Sequence, residues 1–446
     1  MDEQSSRNQA NNFVAKYFRF ELTGTTLGRE VVAGLTTFVT MSYIIVVNPA
    51  ILKAAGIPIE PSLVATVVIA VFGTLLMGIY ANRPFAIAPY MGENAFLAYT
   101  VVQALGFRWQ QALAAVFLAG VAFLLLTLFR IRQWLVEAIP GSLRSSFAVG
   151  IGLFLTFIGL NETGIVMLGS AGAPLRAGHL TTGPVLLAIF GFLLISVLMI
   201  RRFPAAILVG IVATALLAFA TRIAPAPKVW VSLPPSVAPI FLKIDLHGAM
   251  SWGFLPIVLT IFIMAFVDTM GTLIGVSARA GFLDANGNLP QIERPMLADA
   301  LSTIFAPIVG TTTSGAFIES ATGVEAGGRT GLTAVVTALC FGVALFFSPF
   351  VAAIPAQAYG PALVIVGLLM LEPITKIKFG DFTELIPSFA VVALMSFTYN
   401  IGIGITAGFV LYPFCKLVAG RGLEIEPGLW VLAGLSLVFF IFYPYR

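Results

Sequence analysis

Three acidic side chains and one amide stand where a strongly apolar chain has little reason to place them. Asp268 is the only charged residue between Asp245 and Arg279, and at helical spacing it shares a face with Gly271, Thr272 and Gly275. Glu319 is the one acid in the Thr-, Ser- and Gly-rich stretch from Gly310 to Val324, and Glu93 and Asn94 sit together in Ala88–Tyr99, APYMGENAFLAY. An ionisable residue inside a membrane span is costly and points to function. The bland alternative is an acid satisfied by hydroxyls or helix ends that only locks packing. Two carboxylates can accept from the N–H edge of a neutral planar ligand. In a low-dielectric pocket they cannot both ionise cheaply, so one holds a proton that can be carried with the ligand. Asn94 can both donate and accept, which suits a heterocycle edge. The substrate-binding candidates are therefore Asp268, Glu319, Asn94, Phe317, Thr272, Ser314 and Phe96, the two rings as stacking partners. The proton-coupling candidates are Asp268, Glu319 and Glu93. Glu325 and Arg329 read as a pair at the inner edge.

The elements that must position these groups are membrane spans. The chain has 446 residues, 59% hydrophobic and 10% charged, with a mean hydropathy of +1.00. Soluble domains carry about a quarter charged residues, so an all-α polytopic membrane protein is expected. Met1 to Glu30 is polar and lacks the apolar core of a cleavable signal, which leaves insertion to the first span. Two cysteines and two distant histidines give no metal or disulfide pattern. A net charge of +4 without a basic tract argues against nucleic acid. No nucleophile–base constellation suggests an enzyme, and no cofactor is expected.

Uncharged runs give about 14 spans. The first seven end at Thr221, the Pro-rich linker Ile223–Ser251 follows, and the pattern begins again with the eighth span at Trp252. The third segment and the tenth, Ser314–Val324, are too short and polar to cross alone and read as half-helices. Paired interrupted segments mark a transporter's midplane site. An odd number of spans per half makes the halves inverted, a 7+7 repeat. Arg83, Arg130, Arg132, Arg144, Arg201, Arg202, Arg279, Arg294 and Arg329 fall in loops on one side, with Lys376, Lys378, Lys416 and Arg421. This asymmetry puts the N-terminus in the cytoplasm. Pro427–Tyr445 reads equally as a further span or an interfacial aromatic helix.

Four motifs carry a family resemblance: GLTTFVTMSYIIVVNPAIL in the first span, MGENAFLAYTVV in the third, VDTMGTLIGV in the eighth and IESATGVEAGGRTGLTAVV in the tenth and eleventh. In this order they resemble the AzgA-like purine branch of the nucleobase:cation symporter-2 family. The resemblance implies a core domain (31–130 and 252–354, spans 1–4 and 8–11) and a gate domain (131–222 and 355–446, spans 5–7, 12–14 and the C-terminal helix). The remaining parts are a cytoplasmic segment, 1–30, and the inter-repeat linker, 223–251. It implies short strands before both half-helices, and it carries the family's acids onto Asp268 and Glu319 and its third-span polar residue onto Asn94. Two positions depart from the branch: Ala265 stands where a second acid is common, and Glu93 where an apolar residue is common.

The reading that follows is a multi-pass carrier of the cell membrane, importing guanine, hypoxanthine or adenine with protons, or with sodium, by an elevator-like slide. A homodimer is expected from the fold. An anion carrier of the same fold, for bicarbonate, sulfate or a carboxylate, is the alternative; its site should be basic or neutral, and these buried charges are acidic.

Overall fold

A computed structural model describes residues 13–129, 138–170, 173–250, 254–284 and 289–442. Arg7, Arg130 and Arg132, the start of the eighth span at Ser251–Trp252, and Tyr443 and Tyr445 lie outside the described residues. The main helices are α1 Leu27–Ala54, α2 Ile59–Tyr80, α4 Trp109–Leu128, α5 Gly141–Glu162, α6 Gly183–Ile200, α7 Ala206–Ala220, α8 Leu255–Ala280, α9 Glu293–Val309, α11 Gly331–Ala352, α12 Ala356–Lys376, α13 Phe382–Phe397, α14 Ile401–Val418 and α15 Pro427–Phe442. Among the described residues, nine helices are long and apolar enough to cross a membrane. Two short ones complete the set. α3 is Met91–Ala95 continued by a π-helical run, Phe96–Ala104, and α10 is Ser320–Glu325.

The chain is not purely helical. Strand β1, Ile87–Pro89, pairs antiparallel with β4, Ser314–Ala316, and a separate hairpin, β2 Val166–Ser170 with β3 Ala173–Ala177, joins α5 to α6. Extended backbone inside a membrane must have every amide and carbonyl paired. β1 and β4 satisfy this by pairing with each other, in the register Ile87 with Ala316 and Pro89 with Ser314. The tenth segment is thereby corrected. Its half-helix does not run from Ser314; the first three of those residues are strand, and helix starts at Ser320. The linker lacks regular structure apart from the turn Leu246–Ala249, and it is tied down by its backbone. Ser232 N donates to Phe346 O, Leu242 N to Ile308 O and Asp245 N to Gln110 O.

Packing sorts the helices into two sets. α1, α2, α4, α9, α10 and α11 pack on one another with α8 against α4, while α5, α6, α7, α12, α13 and α14 form a second set. α15 lies on α14 and α8, with Leu429, Leu432 and Phe439 buried and Trp430, Val431 and Ile441 exposed. Lipid offers no hydrophobic advantage to helix association, so close backbone approach through small residues drives it. The α5–α12 pair shows how. A Cβ on Gly159 would lie 2.6 Å from Gly360 O, and one on Gly367 2.3 Å from Gly152 O. Beyond these helices, Arg421 pairs with Asp381 at 2.7 Å and Glu424 at 2.6 Å, fastening the turn before α15 to the start of α13.

Two expectations follow. Gly159→Leu should destabilise the detergent-solubilised protein by about 1–3 kcal/mol through overpacking, whereas Gly342→Ala, whose Cβ meets open space, should be neutral in the same thermal-unfolding assay. Thr383 and then Arg421 hold the Asp381 carboxyl well below the usual carboxylate range, and Arg421 and then Lys416 bring Glu424 down to about 2. Depressed acids stabilise the fold fully above their unfolded values of about 4, and that contribution is lost as pH falls toward the folded values. Melting temperature should therefore fall more steeply between about pH 5 and pH 2 in the wild type than in Arg421→Gln.

Candidate functional site

The site is organised by the β1–β4 pair. Their facing edges are joined at Tyr90 N to Thr313 O and Phe317 N to Ala86 O. Their outer edges are served by side chains from two helices. On the β1 side, Thr74 of α2 accepts from Ile87 N at 2.9 Å and donates to Ile87 O at 3.0 Å. On the β4 side, Asp299, Ser302 and Thr303 of α9, spaced to share one face, take Ala316 N (3.2 Å), the Ser314 hydroxyl (2.7 Å) and Ser314 O (2.6 Å). The chain then turns into α3 on one side and α10 on the other. Both half-helices thus start beside the crossing point.

Asp268 precedes Thr269, the α8 residue that touches this crossing; it is half-buried, and its carboxylate accepts no hydrogen bond from the described residues. The face predicted for it is open: a Cβ on Gly271 or Gly275 would meet nothing within 4 Å, and Thr272 is half-buried beside them. The glycines leave space there instead of admitting a packed helix. Glu319 sits immediately before α10, half-buried, and accepts from the Tyr43 hydroxyl of α1 at 2.5 Å. Phe317 is buried, its ring nearly parallel to that of Tyr90 (7°) at 6.2 Å between centroids. Tyr90 lies against Gly315, where a Cβ would fall 2.3 Å from its hydroxyl oxygen, so only glycine fits there. The Tyr90 hydroxyl meets that of Thr269 at 3.1 Å, and Thr269 donates to Asp299 at 2.8 Å.

The third-span residues are more enclosed than their sequence suggests. Glu93 is buried with both carboxylate oxygens unpartnered. Its charge is within reach of Asp268 and Asp299. Asn94 is fully buried and donates to Asn48 Oδ1, while Asn48 donates to Thr66 (2.7 Å) and Thr311 (3.0 Å); Asn94 Oδ1 has no partner. The amide therefore ties α3 to α1 and α2 through one end and keeps the other free. Phe96 is buried at the head of the π-helical run.

Two expectations need correction. Ser314 points into α9 and bonds Ser302, because alternation along β4 gives the crossing face to Gly315. The amides of Ala316 and Phe317 are taken by Asp299 and by Ala86 O. Arg329 caps carbonyls of Val324 and Gly328, and the partner of Glu325 is Arg279 at 3.7 Å.

Sequence reasoning passed over Asp299, an acid in the middle of the ninth span that the same intramembrane rule would have flagged. It also missed Tyr43 and Asn48, which nothing in their spacing distinguishes from ordinary span residues. Glu30, read as a span boundary, is fully buried. It accepts from Arg329 N, Thr330 N, Thr333 N and the Thr333 hydroxyl, and so caps α11 from α1.

The model of the Permease family matches residues 28–411. The adenine permease AdeP of Escherichia coli is 38% identical over 440 residues, covering 99% of this chain and 98% of that protein. The guanine/hypoxanthine permease PbuO of Bacillus subtilis is 41% identical over 424 residues, covering 94% and 97%. In fold, the chain is similar to the transmembrane domain of the cyanobacterial bicarbonate transporter BicA, with a TM-score of 0.62 at 17% identity, covering 86% of this chain and 97% of that one.

The role of Asp299 as the anchor of β4 is testable by stability. Asp299→Leu strands the Ala316 amide and the Thr269 hydroxyl in a dry interior and should cost about 1–3 kcal/mol. Asp299→Asn keeps one acceptor and should cost less, both read by thermal unfolding in detergent.

Proposed function

The chain belongs to the nucleobase:cation symporter-2 family of permeases, and from that premise we propose that it imports a purine base, guanine, hypoxanthine or adenine, together with a proton. It is a multi-pass membrane permease and not an enzyme. The observation that carries the proposal is the pair of half-buried carboxylates, Asp268 and Glu319, beside the β1–β4 crossing. Asp268 has no hydrogen-bond donor from the described residues and Glu319 has one side-chain donor, Tyr43, so both retain acceptor capacity. A purine presents ring and exocyclic N–H groups that such acceptors match, and the free Asn94 oxygen adds a third. The stacking rings are Phe317 and Phe96, with Thr272 one helical turn after Asp268 on the same face. Sharing of one proton among Asp268, Glu319 and Glu93 gives the coupling, with sodium as the other candidate ion.

Architecture supports the same reading. α2 and α9 serve opposite edges of the strand pair in the same way, as second and ninth spans of a 7+7 inverted repeat would. α1–α4 with α8–α11 form the core that carries the site, and α5–α7 with α12–α14 the gate against which it slides. The protein resides in the cell membrane with its N-terminus in the cytoplasm and pairs as a homodimer. An anion substrate is disfavoured by the carboxylates gathered at the crossing, which would repel it.

The test is uptake of radiolabelled guanine, hypoxanthine and adenine into proteoliposomes under an inward proton gradient. Gradient-driven uptake that drops at least a hundredfold in Asp268→Asn and Glu319→Gln is expected, as for lost charge-assisted contacts of about 3 kcal/mol. Uptake indifferent to the gradient removes the proton. Absence of purine uptake, with bicarbonate or sulfate flux in its place, overturns the substrate.

A further inference from the structure

Glu162 is the last residue of α5, and it holds two tyrosines at once. Tyr359 of α12 donates to one carboxylate oxygen at 3.2 Å, and Tyr99 of α3 to the other, also at 3.2 Å. These bonds differ in kind. α5 and α12 are locked backbone to backbone by the glycine contacts described above, so the Tyr359 bond lies within one rigid pair. Tyr99 belongs to the half-helix that starts at the site.

The next residue repeats the pattern. Thr100 is buried and donates to Tyr399 O at 2.7 Å, in the turn between α13 and α14. Tyr399 has φ +56, a left-handed conformation a bulky side chain rarely adopts unless its surroundings impose it. Its ring meets Tyr99 edge-on at 5.8 Å and is flanked by Phe154 at 5.0 Å and Phe157 at 5.4 Å, both on α5. Tyr99 and Thr100 both lie in the π-helical run of α3, and such runs are frequent at functional positions. Toward the opposite end, the faces of α8 and α10 that lead away from Asp268 and Glu319 are open, with Gly271, Ala278, Ile318 and Glu325 exposed. The polar bonds between α3 and the second set, Tyr99 to Glu162 and Thr100 to Tyr399, thus gather at the Glu162 end.

We propose that Glu162, Tyr99 and Tyr359 form a latch that closes the outer end of the path to the site, and that breaking the Tyr99–Glu162 bond opens it. The proposal rests on the sliding of two bodies described above, and α3 cannot leave α5 without giving up this bond and the one from Thr100 to Tyr399. Tyr359 keeps the carboxylate aimed across the boundary when the latch is open.

The full chain, with Cys340 and Cys415 replaced by serine, receives one cysteine at Ala98, a fully buried position beside Tyr99. A membrane-impermeant maleimide is added outside intact cells without substrate, so the result does not depend on which compound is carried. Tyr99→Phe and Glu162→Gln should each raise the labelling rate at least threefold, and Tyr359→Phe should raise it less. An unchanged rate in Tyr99→Phe and Glu162→Gln, with melting temperatures like the parent's, overturns the latch. A Tyr359→Phe effect as large as that of Tyr99→Phe also overturns it, because a packing defect would make no distinction between the two sides. A failure of the purine reading would appear in the uptake assay and leave the labelling order unaffected.

Discussion

Backbone amides and carbonyls at membrane depth have no water to turn to, and this chain interrupts two helices there. The pairing of Ile87–Pro89 with Ser314–Ala316 resolves that demand for the inner edges of both strands. Thr74 on one side and Asp299 with Thr303 on the other resolve it for the outer edges. Each unpaired group would cost several kcal/mol in hydrocarbon. The rest of the structure depends on this crossing because it fixes where α3 and α10 begin, and so where Glu93, Asn94 and Glu319 stand.

The acids around the crossing have divided duties. Asp299 and Glu30 are fully buried and spend their oxygens on backbone amides and hydroxyls, and Asp299 keeps one oxygen free. Asp268 and Glu319 are half-buried, and the face of Asp268 reaches open space at Gly271 and Gly275. Glu30, satisfied by four donors, is a rigid joint, and Asp299 ties Thr269 to β4 through its other oxygen. The second pair keeps acceptor capacity, Asp268 with no donor from the described residues and Glu319 with Tyr43 as its side-chain donor. Glu93 belongs to neither: it is enclosed, with both carboxylate oxygens unpartnered.

The second set of helices is built differently. Glycine contacts bring α5 and α12 together backbone to backbone, with Tyr359 bonded to Glu162 at one end, while an ion network holds α5, α13 and α14 near the turn before α15. There Lys416, fully buried, meets Glu384 at 3.2 Å and Glu424 at 2.9 Å, and Ser142 donates to Glu384. Among the described residues, Tyr99 and Thr100 are the α3 side chains that bond this set.

Hydropathy and charge determined most of the architecture without coordinates. Runs of uncharged residues have few alternatives to membrane helices, so a mostly helical, membrane-spanning chain with two interrupted segments was legible, as was the small-residue face of Asp268. Tertiary structure alone decided the rest. Whether Ser314 begins a helix or a strand depends on a partner more than two hundred residues away, and local propensity cannot see it. The same holds for Asn94, whose amide is committed to Asn48, and for Tyr43, which looks like any aromatic span residue until Glu319 is placed beside it. Asp299 was visible as an intramembrane acid, but its duty was not: a carboxylate's role is set by the donors that reach it, and those donors come from other elements.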